Sequence, residues 1–244
     1  MAPDLTTLDA PGWDALRHAL NQRVVLVNET LIPSNRNRVW VVETDVRPVV
    51  LKRSLSGRGK HEFDILSEAR SAGLDVPFPL YRSGEYLVLE YIAGERCDSL
   101  INHMFSTEAA ERLAAWLAEF HARLSRDGRP LIMTDSELAN FVMADGRVFG
   151  VDLEDVCVGD PLEDVGCLIS SMLGSEPLFT PIKFDLCMRL LETYESKSGM
   201  EAMESVRPYV AEQLRMSTIT KPLFRRTFAD AANRLEQGWP RLAR

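Results

Sequence analysis

Short apolar runs separated by polar turns dominate the first third of the chain. Three Val-rich runs come first, RVVLVNETLI, RVWVVETD and RPVVLKR, with PSNRN and DVRP as turns. Two more follow, PLYRSG and EYLVLEYI. Runs of this length bounded by turn residues are typical of antiparallel strands. They predict one sheet of about five strands.

Helical spacing precedes these runs once, interrupts them once between the third and fourth runs, and dominates beyond Gly94. Residues 11–21 and KHEFDILSEARSAG each place apolar residues on one face. The clearest helix is STEAAERLAAWLAEFHARLSRDG, with one apolar stripe. Further helices are predicted over residues 162–174, 183–198, 201–216 and 222–238. Before these four helices, FVM and VFGV flank the turn ADGR and predict a β-hairpin.

This order of elements predicts an α+β chain with two lobes. We expect residues 1–91 to form an N-terminal lobe, in which a sheet of about five antiparallel strands carries one helix. We expect residues 92–244 to form a mostly helical C-terminal lobe that contains the hairpin.

Composition narrows the class of protein. A net charge of −8 argues against a general affinity for nucleic acid or anionic membranes, and the basic segment KPLFRR reads more simply as a solvated helix face. The 4 cysteines are widely spaced without a CxxC pair, which favours reduced thiols in the cytoplasm. We expect no signal peptide, because the N-terminus has acidic residues early and no apolar run. We expect no membrane insertion, because no apolar run reaches the roughly 18 residues that a spanning helix needs.

Three polar residues flank the predicted hairpin. Asp135 and Asn140 precede its first strand, and Asp152 follows its second. Phosphoryl transfer needs a carboxylate that orients a hydroxyl and hard oxygen ligands for Mg²⁺. The spacing D-x-x-x-x-N, with an aspartate after the next apolar strands, is that of a kinase catalytic loop and its metal-binding aspartate. The alternative is a purely structural role for all three. Asp135 would cap a turn, Asn140 would hydrogen-bond to the backbone, and Asp152 would end a strand.

The N-terminal half carries matching elements in the expected order. VVLKR ends the third strand with Lys52, where a kinase keeps the lysine that binds nucleotide phosphates. Glu62, in the following helix, is placed to pair with it. LVLEYIAGE runs from a strand into a connector, where backbone groups of Glu90 and Ile92 could hydrogen-bond an adenine edge. Taken one at a time, these features are ordinary. Lys52 could be a solvated strand residue, Glu62 could lie on a solvated helix face, and LVLEYIAGE could contain an ordinary buried strand.

Together these segments resemble the protein-kinase-like superfamily, and within it the aminoglycoside phosphotransferase and choline kinase branch. The matching stretches are SNRNRVWVVETDVRPVVLKR, HEFDILSEARSAGLDVPFP, YLVLEYIAGE, TDSELANFVMADGRVFGVDLED and GDPLEDVG. The resemblance implies ATP and Mg²⁺ as cofactors and Asp135 as catalytic base. It also implies that Asn140 and Asp152 bind the metal and that Lys52, positioned by Glu62, binds the phosphates.

The chain departs from the family at two places. The family usually has a histidine two residues before the catalytic aspartate, and Met133 stands there. Methionine could fill that space, since the histidine is mostly structural. The turn SNRN lacks glycine; Ser34 and backbone N–H groups could contact phosphate, with Arg36 or Arg38 adding charge, or the segment is a plain polar turn. The resemblance further implies that Asp164 braces the catalytic loop from below.

The leading prediction is an ATP-dependent phosphotransferase that moves the γ-phosphate to a hydroxyl of a small molecule resembling an aminoglycoside, sugar or amino alcohol. Its partners would be a nucleotide and that acceptor. Glu154, Asp155 and Asp160 would favour a cationic acceptor if they face the cleft, and would carry no information on substrate if they are solvated or paired with arginine. The chain is compact for this branch, so the acceptor site is expected to be shallow or completed by the last two helices.

Two alternatives stay open. The missing histidine and glycines favour a pseudokinase that binds nucleotide or a protein partner without turnover. An atypical Ser/Thr protein kinase ranks lower, because the chain has no A-P-E sequence and little length for a peptide platform.

Overall fold

The computed structural model describes residues 8–21, 26–32 and 37–239, and residues 26–32 by their backbone alone. The chain divides into two compact units. The first comprises residues up to Ala93 together with Asp152–Glu154, and the second comprises Gly94–Val151 and the residues from Asp155 onward. The observed division falls two residues after the predicted boundary and assigns Asp152–Glu154 to the N-terminal unit.

The first unit is built on one antiparallel sheet with the strand order β1–β2–β3–β5–β4. The strands are β1 (Leu26–Ile32), β2 (Arg38–Thr44), β3 (Val49–Arg53), β4 (Pro79–Ser83) and β5 (Tyr86–Glu90). Two helices accompany the sheet, α1 (Ala10–Ala19) and α2 (Gly59–Ser71), and they correspond to the two helical segments predicted in this part of the chain. The α+β class is confirmed.

Burial along β3 breaks the alternation that a strand normally shows. Val49 and Leu51 point into the core beside α1, together with Leu16. Lys52 should then face solvent, yet only 3% of it is exposed. Because a lysine is almost never fully buried unless it is paired, this strand end requires an anionic partner.

The second unit is mainly helical. Its helices are α3 (Cys97–Asn102), α4 (Thr107–Arg123), α5 (Pro161–Leu173), α6 (Pro181–Ser198), α7 (Arg207–Thr220) and α8 (Arg225–Gln237). Helix α4 packs against α6, and α7 packs against both α5 and α8. Within residues 8–21, 26–32 and 37–239, no helix has the length and apolar character needed to cross a bilayer. All four cysteines are free thiols, as predicted.

The second unit contains more strand than was predicted. Its two three-stranded sheets have the orders β10–β9–β6 and β11–β8–β7. The strands are β6 (Glu95–Arg96), β7 (Ser125–Arg126), β8 (Arg129–Ile132), β9 (Phe141–Ala144), β10 (Arg147–Gly150) and β11 (Cys157–Val158). The helix predicted to reach residue 128 ends at Arg123, because Asp127 (φ 53°) and Gly128 (φ 73°) form the turn of the β7–β8 hairpin.

The hairpin of β9 and β10 is confirmed. Its strands are antiparallel, with Phe141 opposite Gly150. Asp145 and Gly146 have φ values of 50° and 70°, as the favoured two-residue hairpin turn requires. Gly150 is needed for packing, since a Cβ atom there would lie 2.5 Å from the ring of Trp116.

A glycine in α5 sets the distance between α5 and α7. A Cβ atom on Gly166 would lie 2.6 Å from Tyr209 Cβ and 3.1 Å from its carbonyl carbon. We expect Gly166→Ala to lower the free energy of unfolding by about 1–3 kcal/mol, because backbone cannot move aside as a side chain can. Urea unfolding would measure this loss. Glu163→Ala, on the exposed side of the same helix, should cost less than about 1 kcal/mol; an equal loss in both variants would contradict the packing account.

Candidate active site

A buried ammonium group lies among three carboxylates in the first unit. Lys52 Nζ lies 2.9 Å from Glu62 Oε1 and Oε2, 2.9 Å from Asp152 Oδ1 and 3.6 Å from Glu154 Oε2. The predicted pairing of Lys52 with Glu62 is therefore present, and Asp152 joins the same cluster.

A close approach of α2 to the sheet positions Glu62. Gly59 begins this helix, and a Cβ atom there would lie 2.7 Å from Leu87 Cδ1 and 3.1 Å from Ser54 Cβ. The first turn of α2 is thereby held against the strands, and its one acidic residue, Glu62, is fully buried. The glycine thus allows the carboxylate to reach Lys52.

The electrostatics of this cluster are dominated by the excess of carboxylates. Burial opposes the charge on Lys52, but the fields of Glu62, Asp152 and Glu154 outweigh it and raise the pKa of Lys52 above its usual range. Burial also raises the pKa of Glu62; Lys52 works against that rise, while Asp152 and Glu154 add to it. Three carboxylates against one ammonium leave a negative excess that a divalent cation would neutralise.

Glu154 neither faces a cleft as an acceptor contact nor is solvated or paired with arginine. It is 4% exposed, and its Oε2 accepts hydrogen bonds from Asn37 Nδ2 (2.9 Å) and Ser56 Oγ (3.4 Å). Asn37 Oδ1 in turn accepts from the backbone N–H of Leu55 at 3.2 Å. The expectation that Glu154 is solvated or paired with arginine is wrong, and it is too enclosed to recognise an acceptor. Asn37 was not identified from the sequence, because its partner lies 117 residues away.

The carboxylates fit a divalent cation with Asp152 as the accessible ligand. One oxygen from each of Glu62, Asp152 and Glu154 lies within 4.8 Å of the others. The side chain of Asp152 is 35% exposed, against 0% for Glu62 and 5% for Glu154. Lys52 is bonded to Oδ1 of Asp152, so Oδ2 is the oxygen through which this residue would hold Mg²⁺.

The other two predicted reaction residues lie together in the second unit. Asn140 Nδ2 donates to the backbone carbonyl of Asp135 at 2.8 Å. This bond directs the amide nitrogen toward the loop and leaves Asn140 Oδ1 as the acceptor, which is the atom that binds a hard cation. The N–H of Val151 donates to the carbonyl of Asn140 at 3.0 Å and continues the pairing of β9 with β10. The hairpin therefore fixes the backbone of Asn140.

A buried carboxylate beneath Asp135 braces the loop. Asp164 is 0% exposed, and it accepts from the N–H groups of Met133 (2.7 Å) and Thr134 (2.9 Å). The backbone carbonyl of Asp164 accepts from Ser136 Oγ at 2.7 Å. These contacts bear out the bracing that the resemblance implied for Asp164. They lie on both sides of Asp135 in the sequence.

The brace holds an unfavourable backbone conformation. Thr134 has a φ of 63°, in the left-handed region, where a β-branched residue is rare. Such a residue costs of order 1–3 kcal/mol and persists only where its surroundings impose it. Here the imposing contacts are the bond to Asp164 and a 3.3 Å hydrogen bond from Thr134 Oγ1 to the carbonyl of Asp155.

A histidine from α4 contacts the same carboxylate. His121 Nε2 lies 3.0 Å from Asp164 Oδ2, and its Nδ1 lies 2.9 Å from Tyr194 Oη. Nε2 donates to the carboxylate, and the Nδ1 contact holds the other side of the ring against Tyr194. Met133, which is 2% exposed, fills apolar space as expected. Sequence reasoning missed His121; the only signal was a histidine in the last turn of an apolar helix.

Asp160, another of the acids considered for a cationic acceptor, is bonded within the protein. Asp160 Oδ1 caps α5 by accepting from Leu162 N at 3.0 Å, and its Oδ2 accepts from Tyr209 Oη at 2.7 Å. That hydrogen bond, with burial, raises the pKa of Tyr209 to about 12. The expectation that Asp160 is solvated or paired with arginine is wrong, since it is bound to a helix terminus and a tyrosine.

The predicted adenine contacts remain predictions, with one restriction. The N–H of Glu90 donates to the carbonyl of Phe78 at 2.9 Å, and Glu90 Oε2 accepts from Phe78 N at 2.9 Å. Of the backbone groups of Glu90, the carbonyl is thus the one left for an adenine edge, with the N–H of Ile92 as its expected companion. Ser34 and Arg36 lie outside the described residues.

Known proteins match this chain in sequence profile and in fold. The profile of the phosphotransferase enzyme family matches residues 29–137, just under half of the chain. The predicted resemblance is confirmed. No curated protein matches in a sequence search. The match shows similarity to phosphotransferase enzymes over that part of the chain.

Solved structures with the same fold are kinases and phosphotransferases. A streptomycin–ATP–APH(2")-IIa ternary complex aligns with a TM-score of 0.64 at 15% identity, covering 95% of this chain and 99% of that one. A choline/ethanolamine kinase family protein from Mesorhizobium loti aligns at 0.62 and 17%, covering 86% and 87%. The macrolide 2'-phosphotransferase MphH from Brachybacterium faecium aligns at 0.58 and 17%, covering 97% and 100%. At these identities the likeness shows the protein-kinase-like fold.

The Asp164 brace can be tested by removing one of its acceptor oxygens. Asp164→Asn places an amide N–H₂ against donors from Met133, Thr134 or His121. We expect the free energy of unfolding to fall by about 2–4 kcal/mol, since a buried donor loses its charged acceptor. Chemical denaturation would measure it. Glu163→Gln makes the same change of charge at an exposed neighbour and should stay within about 0.5 kcal/mol; the brace is refuted if the two variants behave alike.

Proposed function

We propose that this chain is an ATP-dependent phosphotransferase that moves the γ-phosphoryl group to a hydroxyl of a small molecule. The observation that carries the proposal is the Lys52 ammonium, buried against Glu62 and Asp152 at 2.9 Å. Burying an ion pair of this kind gives little or no net stability compared with apolar residues. A buried cation near the end of the central strand β3, paired with a partly exposed carboxylate, is explained by a role in binding phosphate and metal.

The proposed roles follow from the chemistry of each side chain. Lys52, oriented by Glu62, holds the nucleotide phosphates. Asp152 and Asn140 are hard oxygen ligands for Mg²⁺, which when bound neutralises charge on the phosphates. Asp135 accepts a hydrogen bond from the acceptor hydroxyl, directs its oxygen at the γ-phosphorus, and takes the proton as the new P–O bond forms and the bond to ADP breaks.

The nucleotide base and the acceptor are assigned by class. We propose that the Glu90 carbonyl and the Ile92 N–H hydrogen-bond adenine, and that Ser34 contacts phosphate. The acceptor is a hydroxylated small molecule of the aminoglycoside, sugar or amino-alcohol kind. The related structures differ in acceptor, and Glu154 and Asp160 are already bonded within the protein, so a cationic acceptor has no support from these two acids. Free thiols at all four cysteines favour a reducing compartment such as the cytoplasm.

A pseudokinase is the second candidate, favoured by one specific contact. Lys52 donates to Asp152 at 2.9 Å, so the ammonium occupies an oxygen of the proposed metal ligand. A scaffold would keep this ion pair and never exchange it for metal. Substitution of Met133 for the usual histidine points the same way. The two candidates differ in whether nucleotide binding depends on metal and whether Asp135 is needed for turnover.

Binding of MgATP should raise the midpoint of thermal unfolding. A ligand at about 100 times its Kd adds about 2.7 kcal/mol, which corresponds to about 5–10 °C for a chain of this size. In Asp152→Ala the part of the shift that depends on Mg²⁺ should disappear. Differential scanning fluorimetry measures both, with Glu192→Ala, an exposed acid on α6, as control. Absence of any shift at millimolar ATP would favour the pseudokinase.

Turnover should depend on the carboxylate of Asp135. Asp135→Asn keeps the shape of the side chain but cannot accept a proton, so we expect a rate loss of about 10²-fold or more. The thermal shift with MgATP should be unchanged. ADP release would be followed with a panel of hydroxylated acceptors, with Asp185→Asn as an exposed control of equal charge change. If Asp135→Asn retains full turnover, Asp135 is not the base.

A further inference from the structure

A cavity of about 730 Å³ lies in the second unit, between the start of α6 and one face of α8. Its size is typical of sites for small molecules. The apolar part of the wall is formed by Phe179, Phe184, Leu235 and Trp239. None of these residues belongs to the proposed phosphotransfer machinery.

Tertiary contacts hold the aromatic walls in place. Trp239 Nε1 donates to the carbonyl of Met203 at 2.7 Å, which fixes the indole ring. The ring of Phe179 packs edge-on against Phe228 at 5.4 Å between centroids. The cavity is therefore a preformed surface for an apolar ring or chain, and a ligand would lose little free energy in ordering it.

Charged residues on successive turns of α8 line the rest of the cavity. They are Arg226, Asp230 and Arg234, spaced by four residues along one helix face. No ion pair joins any of these three to another residue within the described ranges. Arg207 and Arg215, by contrast, pair with Glu204 and Glu236. The wall thus has two guanidinium groups for one carboxylate and a net positive charge.

We propose that this cavity binds a small amphipathic oxyanion, an aromatic or aliphatic molecule that carries a carboxylate or a phosphate group. Arginine binds such groups through two parallel hydrogen bonds, and Arg226 and Arg234 are exposed, so both can reach a ligand that enters from solvent. The apolar wall would take the ring or chain of the ligand. The chain carries a net charge of −8, so binding of an anion here requires a local site.

Binding in this cavity can be measured separately from phosphotransfer. We would titrate the full chain without nucleotide, by calorimetry, with phenyl phosphate and benzoate as oxyanion probes. Benzyl alcohol and benzylamine, which share the ring but are neutral or cationic, are the comparators. We expect phenyl phosphate, benzoate or both to bind, and the comparators to bind at least roughly tenfold more weakly. The stronger of the two oxyanions distinguishes a phosphate from a carboxylate ligand.

Neighbouring arginines provide a matched control. Arg226→Ala and Arg234→Ala should each raise the Kd for the oxyanion roughly tenfold or more. Arg225→Ala removes the same charge from the same helix, one residue outside the cavity lining, and should leave the Kd unchanged. Arg234→Lys should give an intermediate Kd, since it keeps charge but loses the two-pronged contact.

Trp239 supplies a second readout. Oxyanion binding should change the intrinsic fluorescence, and Trp239→Phe should abolish that change while Trp13, Trp40 and Trp116 remain. Failure of both oxyanions to bind at millimolar concentration would overturn the proposal. So would equal binding of benzylamine, or an equal loss of affinity in Arg225→Ala and Arg234→Ala.

Discussion

The need to compensate one buried positive charge organises the first unit. Lys52 is almost fully enclosed, and a bare ammonium in that position would be strongly unfavourable. Glu62 in the first turn of α2 and Asp152 provide the compensating negative charge. The segment Asp152–Glu154 therefore belongs to this unit, although the residues on both sides of it belong to the other unit. Gly59 lets α2 approach the sheet closely enough for the Glu62 contact. Asn37 completes the cluster by donating to Glu154.

The second unit contains a buried carboxylate, Asp164, that also needs compensating partners. Asp164 has no lysine or arginine partner among the residues described; its carboxylate is satisfied by two backbone N–H groups and His121. Backbone N–H groups are part of the loop itself and have no side-chain rotamers. Hydrogen bonds from them therefore hold the loop more rigidly than a long cationic side chain would. The motif GDPLED thus contains two acids of different kinds, with Asp160 closing a helix end and Asp164 holding a loop.

The sequence predicted those features that depend on residue type and order, and missed those that depend on distant contacts. Lys52, Glu62, Asp152 and the hairpin were predictable because strand ends, helix turns and an Asp-Gly turn carry local signals. Glu154 and His121 were misjudged or missed because their partners lie far along the chain. Strands of two residues, such as β6 and β7, have no periodicity to detect. The end of α4 was placed too late because an apolar stripe does not show where the backbone turns.

The left-handed conformation of Thr134 ties the geometry around Asp135 to the docking of α5. Because the peptide next to Asp135 is imposed by Asp164 and not by local preference, its geometry lasts only while α5 is docked. Partial loosening of α5 would let Thr134 relax to an extended conformation, and Asp135 would turn with it. Loss of function would then precede loss of secondary structure along a denaturation curve. The loop would act as an early reporter of damage to the helical core.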